Sequence, residues 1–278
     1  MVPEEMSAPA VDGLYCEVAG SGPPVVLAHD GLLHSESWDA QVAAFAAAGY
    51  RVARWDRRGY GRSPRPTVPF SSVEDLATVV RAVSDAPATL VGCSYGGFLS
   101  VHCALDHPEL VAALVLVGPV ISGLPLSEHF DTRGGRGIPA FDAPVAEQIA
   151  YWSGTDPWFV APASTAARQR LHELLHANPH NLRLPLELER RPQLSVLPRL
   201  GEVAVPTLVI AGEHDIPDVH AHCGAIEAAV PGARRVVLPG SGHLPQLEVP
   251  DAFNRVVLGF LAEVYGRVPA TPDRPPAG

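Results

Sequence analysis

A chain of 278 residues that is 47% hydrophobic and only 18% charged has enough apolar material for one large core, with or without a small accessory domain, so wholesale disorder is excluded. A net charge of -10 speaks against nucleic acid or an anionic membrane as partner, because their phosphates would be repelled. All 20 basic residues are arginine, which also excludes mechanisms that need a Schiff-base lysine or a phosphate-loop lysine.

Along most of the chain short β-branched runs alternate with helical patterns, as expected of an α/β protein with a largely parallel sheet covered on both faces. Met1 to Ala10 is acidic and proline-bearing rather than basic and then apolar, so no secretory signal is expected there. Pro24 to Ala28 reads as a buried strand, Trp38 to Ala48 as an alanine-rich helix stopping at Gly49, and Arg51 to Trp55 as the next strand. Ser72 to Ser84 reads as a helix with Glu74 and Asp75 in its first turn, where negative charge is favourable. Ala88 to Cys93 is a strand and Tyr95 to Leu105 the helix after it. Ala112 to Gly118 and Pro206 to Ala211 are two further strands. Pro217 to Val230 is a helix that opens on a first-turn proline, Arg234 to Leu238 a strand, and Ala252 to Tyr265 the closing helix. The end of the chain, 267–278, is rich in proline without periodicity and is expected to be a disordered tail.

The alternation breaks between strands. Residues 122–200 carry aromatics, prolines and helical stretches, and about 80 residues is too long for a plain loop. The expected division is therefore a core from 11–121 and 201–266 with a helical lid, 122–200, inserted over the strand ends. The longest apolar runs, such as Val111 to Val117, are too short to span a bilayer. Cys16, Cys93, Cys103 and Cys223 lie far apart without paired spacing, Cys93 and Cys103 in segments that read as buried, so no disulfide framework is implied and a cytoplasmic setting is expected.

Chemistry concentrates in three places. Gly92-Cys93-Ser94-Tyr95-Gly96-Gly97 lies where a strand turns directly into a helix, and such a sharp turn presents a serine hydroxyl in a strained conformation. A serine is a poor nucleophile without a base. His243, in the glycine-rich loop after the strand ending at Leu238, is the candidate. The base needs an anionic partner, and Asp215, just past Thr207 to Ala211, fits; Glu213 and Asp218 are rivals.

These residues resemble the α/β-hydrolase superfamily over about Gly13 to Tyr265, in the order Ser94, Asp215, His243. Some relatives place the acid after the preceding strand, but Gly118 to Leu124 contains no carboxylate. The resemblance implies the α/β-hydrolase fold with an inserted cap and no cofactor. Leu27-Ala28-His29-Asp30-Gly31 is similar to the family's oxyanion loop, so Gly31 would supply one backbone N–H and Tyr95 the other. Asp30 stands where a glycine is common; an Asp-Gly pair with a Gly-Cys-Ser elbow is similar to lactonases that open the macrolactone zearalenone. Asp30 either caps its loop or binds substrate. Trp55-Asp56-Arg57-Arg58-Gly59-Tyr60-Gly61-Arg62-Ser63 resembles a structural turn of the family, so Arg58 carries no catalytic expectation.

Other features weigh less. His172-Glu173-Leu174-Leu175-His176 matches H-E-x-x-H, with Glu187 or Glu189 as conceivable third ligands, yet an amphipathic helix with Leu171, Leu174 and Leu175 inward explains it, and no metal is expected. His220 and His222 read as surface groups of a helix start. Phe130, Phe141, Tyr151, Trp152, Trp158 and Phe159 line a pocket or form the lid's own core, and His34 and Trp38 are placed beside the oxyanion loop. Among these, Asp30, His34, Trp38, Trp152 and Trp158 are the substrate-binding candidates. The expected activity is hydrolysis of a carboxylic ester or lactone of a small to medium, partly hydrophobic molecule. Carbon–carbon or thioester hydrolysis, a non-hydrolytic lyase or cyclase, and a ligand receptor stay open, and oligomeric state is not readable.

Overall fold

The computed structural model describes residues 6–183 and 186–266, so the expected tail lies outside the described residues. Seven strands form one sheet: β1 (Cys16–Ala19), β2 (Pro24–Ala28), β3 (Arg51–Trp55), β4 (Ala88–Cys93), β5 (Val111–Val117), β6 (Thr207–Gly212) and β7 (Arg234–Leu238). Their spatial order is β1-β3-β2-β4-β5-β6-β7, and every pairing is parallel except that of β1 with β3. Six of the strands lie where the sequence pattern puts them. β1 was invisible to that pattern because four residues are too few to show a period.

The sheet is covered on both faces, as continuous apolar strands require. On one face Val26, Leu90, Leu114, Leu116 and Val209 pack under α2 (Ser72–Val83), α3 (Tyr95–Asp106) and α7 (Pro217–Ala229). On the other, Val25, Leu27, Val91, Cys93, Val115 and Ile210 pack under α1 (Asp39–Ala47) and α9 (Pro250–Val264). α2 starts at Ser71, whose hydroxyl accepts the Glu74 N–H, and α7 starts on Pro217, whose missing N–H costs nothing in a first turn. α8 (Pro245–Glu248) is a single turn ahead of α9.

Among the described residues, the chain between β5 and β6 adds no strand to the sheet. It forms α4 (Glu128–Thr132), α5 (Val145–Ala150), a wide turn over Tyr151–Thr155, and α6 (Thr165–Ala177). The segment leaves and rejoins the core at one point: Ser122 O accepts the Leu197 N–H at 3.1 Å and the Ser195 hydroxyl at 3.2 Å, and Ser122 Oγ accepts the Val196 N–H at 3.0 Å. α6 turns Leu171, Leu174 and Leu175 into the core, while His172, Glu173 and His176 are exposed. Among the described residues no cluster of potential metal ligands forms, there or elsewhere. No helix among them is long and apolar enough to cross a membrane. The four cysteines are buried free thiols.

His222 corrects the expectation of a surface group. It is 1% exposed, and its Nδ1 accepts the Ile121 N–H at 3.0 Å, because α7 turns this position toward the end of β5.

A tight joint lies between β4, α3 and β2. A Cβ on Gly96 would stand 2.2 Å from the Ala28 carbonyl oxygen, and one on Gly92 would stand 2.3 Å from the Gly96 carbonyl oxygen. Backbone meets backbone there, so nothing flexible can give way. Gly96→Ala is expected to cost about 1–3 kcal/mol or more, the range for overpacking, in a chemical denaturation curve. A curve within error of wild type would show that the joint has slack.

Candidate active site

The candidate residues Ser94, Asp215 and His243 gather beyond the carboxyl ends of the parallel strands, where α/β sheets characteristically bind ligands. Ser94 stands between β4 and α3 with φ +51° and ψ −111°, a conformation residues with a Cβ rarely adopt. Hydrogen bonds hold it there: its N–H donates to Val117 O at 2.8 Å, and its carbonyl accepts the Phe98 N–H at 3.0 Å.

His243 Nδ1 lies 2.8 Å from Asp215 Oδ2, and Asp215 Oδ1 accepts the Ile216 N–H at 2.8 Å. The carboxylate is buried, which strengthens its pull on the ring. Burial by itself pushes the imidazole pKa down, but the Asp215 contact, with a smaller contribution from Asp30, outweighs it and holds His243 above its ordinary value. The rivals are occupied elsewhere. Glu213 is exposed and accepts the Gly240 N–H at 2.9 Å, while Asp218 accepts the Ser127 N–H at 2.6 Å and its hydroxyl at 2.9 Å.

The His243 loop is also held from the 122–200 side. His243 N–H donates to Trp158 O at 2.8 Å. Glu248 accepts the Gly242 N–H and the Ala161 N–H, both at 2.8 Å, one on each carboxyl oxygen. Sequence reasoning missed this clamp, because Glu248 carries no motif and its partner is a backbone N–H far away in the chain.

Ser94, Asp215 and His243 line one cavity of about 150 Å³ together with Asp30, Gly31 and Arg133. Phe130, Trp152, Trp158 and Phe159 form its aromatic wall. Ser94 and His243 share the cavity without a hydrogen bond between them, a common condition of a site without substrate. A neighbouring cavity of about 300 Å³ shares Gly31, Leu32 and Trp152 with the first and reaches Phe141 and Asn181. Tyr151 borders neither cavity and stays in the packing of the 122–200 segment, its hydroxyl donating to Asp156 at 3.3 Å.

The loop after β2 is braced from several sides. Arg57 donates to Asp30 O at 2.8 Å and its N–H donates to His29 Nε2 at 3.1 Å. The Tyr60 hydroxyl donates to Gly31 O at 2.9 Å. Burial, and then the Arg57 charge, press the His29 pKa well down, so His29 is neutral: Nδ1 donates to Asp30 O at 2.8 Å and Nε2 accepts. Tyr95 opens α3, so its N–H has no carbonyl to meet within the helix, and Gly31 borders both cavities. The Tyr95 side chain turns away to donate to Glu189 at 2.7 Å.

Asp30 divides its two oxygens. Oδ1 accepts the Leu32 N–H at 2.7 Å and the Leu33 N–H at 3.2 Å, which is the loop cap. Oδ2 is buried without a partner among the described residues, beside the cavity. Burial raises the pKa of this carboxyl, and the two N–H contacts offset that only in part.

Two substrate-binding expectations are corrected. His34 is 2% exposed and its Nε2 is 3.1 Å from Asn178 Nδ2; Trp38 is fully buried against Phe253, ring centres 6.2 Å apart. Neither borders either cavity, because the chain turns down onto α9 directly after Leu33. Arg58 is structural as expected, paired with Asp75 at 2.9 Å.

A sequence profile of the alpha/beta hydrolase family matches residues 25–256. The chain belongs to this family. It is 32% identical to a provisionally named carbamate hydrolase, RutD, of Variovorax paradoxus strain S110, the match covering 90% of this chain and 97% of that one. It is 30% identical to the 2-hydroxy-6-oxo-6-phenylhexa-2,4-dienoate hydrolase of Burkholderia cepacia, covering 90% and 91%. Among solved structures it resembles Est816, an N-acyl homoserine lactone degrading enzyme, with 25% identity, a TM-score of 0.69, and 91% and 100% of the two chains covered. The protein is therefore a hydrolase of the alpha/beta hydrolase family.

In this family member the bare Asp30 oxygen has a measurable consequence. A carboxyl whose pKa is raised on folding loses stability as pH rises past the unfolded carboxylate range, about pH 4. Asp30→Asn keeps the Oδ1 cap and has no charge to bury. Its thermal midpoint is expected to gain on wild type as pH rises above about 4, until the folded-state carboxyl of the wild type has ionised; a difference that is constant from about pH 4 upward would mean that Oδ2 is solvated.

Proposed function

We propose that the protein hydrolyses a carboxylic ester or lactone of a small to medium, partly hydrophobic substrate. Ser94 attacks the carbonyl, His243 takes its proton, and Asp215 holds the ring and balances the imidazolium. The N–H groups of Gly31 and Tyr95 receive the oxyanion. His243 then protonates the leaving alcohol, and water cleaves the acyl-enzyme by the reverse use of the same groups. Residues 122–200 act as the lid, with Trp152 and Trp158 against the substrate.

One observation carries the reading: the 2.8 Å contact of His243 with Asp215 beside a strained serine, all three bordering one cavity. The two cavities together reach the usual size of small-molecule sites, about 300–1,000 Å³, and their aromatic walls suit a partly apolar substrate. The lactone part draws support from the resemblance to Est816, an N-acyl homoserine lactone degrading enzyme. Four buried free thiols accord with the reducing cytoplasm.

Ser94→Ala is expected to lower kcat/KM on p-nitrophenyl esters by about a thousandfold or more, and wild type to trap an acyl group on Ser94. Ser94→Ala turning over nearly normally while His243→Ala is dead would replace hydrolysis by acid–base lyase chemistry. Asp215→Asn should cost about 10³–10⁴-fold, and Asp218→Asn should stay within about threefold; the reverse ranking would move the acid.

The base works only when neutral. With the His243 pKa held above its ordinary value, activity should rise with pH along a limb centred above about 6.5. A limb at or below that point would mean that Asp215 does not reach the ring in solution.

A further inference from the structure

Arg133 is the cation in the active-site cavity that the proposed reaction does not use. It closes α4 with φ +49°, although Gly134 and Gly135, which tolerate such angles, follow directly at +62° and +81°. A side chain kept in a left-handed position beside two glycines points to a requirement for that side chain. Its guanidinium is 10% exposed and stands over the faces of Phe130 and Trp152, 4.6 Å and 5.5 Å from the ring centres.

The protein leaves this cation only partly satisfied. Its nearest carboxylate, Asp156, is 3.3 Å from Nε, without the alignment of a hydrogen bond. Asp156 already accepts the Trp158 and Phe159 N–H groups at 2.9 and 2.8 Å on Oδ1 and the Tyr151 hydroxyl on Oδ2. Among the described residues no acceptor hydrogen-bonds the guanidinium, and Arg133 borders the same cavity as Ser94.

We propose that Arg133 is an anion-binding subsite that takes a carboxylate carried by the substrate, so that the scissile carbonyl reaches Ser94 while the carboxylate docks on the guanidinium. The planar fork of arginine matches the two oxygens of a carboxylate. Charge count favours a monoanion over a phosphate dianion, since one guanidinium faces a cavity that already contains Asp30 and Asp215. The aromatic faces over the guanidinium exclude water and strengthen the contact. The identity of the carbonyl rests on the hydrolase reading above; the anion subsite is separable from it.

The test has a binding arm and a kinetic arm. In Ser94→Ala protein, calorimetry should detect monomethyl glutarate binding tenfold or more tighter than neutral dimethyl glutarate or inorganic phosphate. Adding Arg133→Gln should remove that preference, and Arg133→Lys should keep part of it. In the active enzyme, the ratio of kcat/KM for mono-p-nitrophenyl glutarate over p-nitrophenyl butyrate should fall tenfold or more in Arg133→Gln. Thermal melts accompany each variant, and if Arg133→Gln is destabilised the comparison rests on Arg133→Lys against wild type. Equal binding of mono- and diester, tighter binding of phosphate, or a kinetic ratio indifferent to position 133 would overturn the proposal. Arg133-dependent glutarate binding in a protein that cleaves no ester would sustain the subsite and overturn the hydrolase reading alone.

Discussion

The site depends on a joint where three stretches of backbone meet without side chains between them. Gly96 presses on the carbonyl of Ala28, and Gly92 presses on Gly96. That contact sets the distance from the start of α3 to the end of β2, hence from the Tyr95 N–H to the Gly31 loop. It also leaves Ser94 no path except the strained one, with its N–H bonded to the end of β5. The strain is stable because the surrounding sheet over-determines it, with β4 buried along its whole length.

Around that joint the charges are arranged by burial. Asp215 is sunk beside His243 and holds it above its ordinary pKa; His29 is pushed the other way, first by its burial and then by Arg57, and serves as a neutral brace. Two histidines beyond the carboxyl ends of the strands thus differ because a carboxylate overrides burial at one, while burial and a guanidinium act together at the other. Asp30 shows the same logic within a single side chain, one oxygen satisfied by two N–H groups and the other left bare at the cavity.

Residues 122–200 reach the chemistry from above rather than merely covering it. Trp158 O accepts the His243 N–H, and Glu248 ties Gly242 to Ala161, so a displacement of this segment would be felt at the His243 ring. The aromatic wall and Arg133 come from this same segment. The cavity wall and the alignment of His243 are therefore physically linked, though they rest on different parts of the chain.

What could be read from the sequence alone was what depends on local order. Strands β2 to β7 announce themselves as buried apolar runs, and Ser94, Asp215 and His243 each follow one of them directly, so their spacing along the chain already carries their placement. Chain order already favours Asp215 over its rivals Glu213 and Asp218, but which carboxylate meets the ring depends on the direction of each side chain, and that is seen only in the folded chain. Tertiary structure likewise withdrew His34 and Trp38 into the core and His222 from the surface, because helix packing rather than proximity in sequence sets which way a residue faces. Arg133 and Glu248 were silent in the sequence for the same reason: their partners lie across the cavity and across the fold, and no local period records a contact made only when distant segments meet.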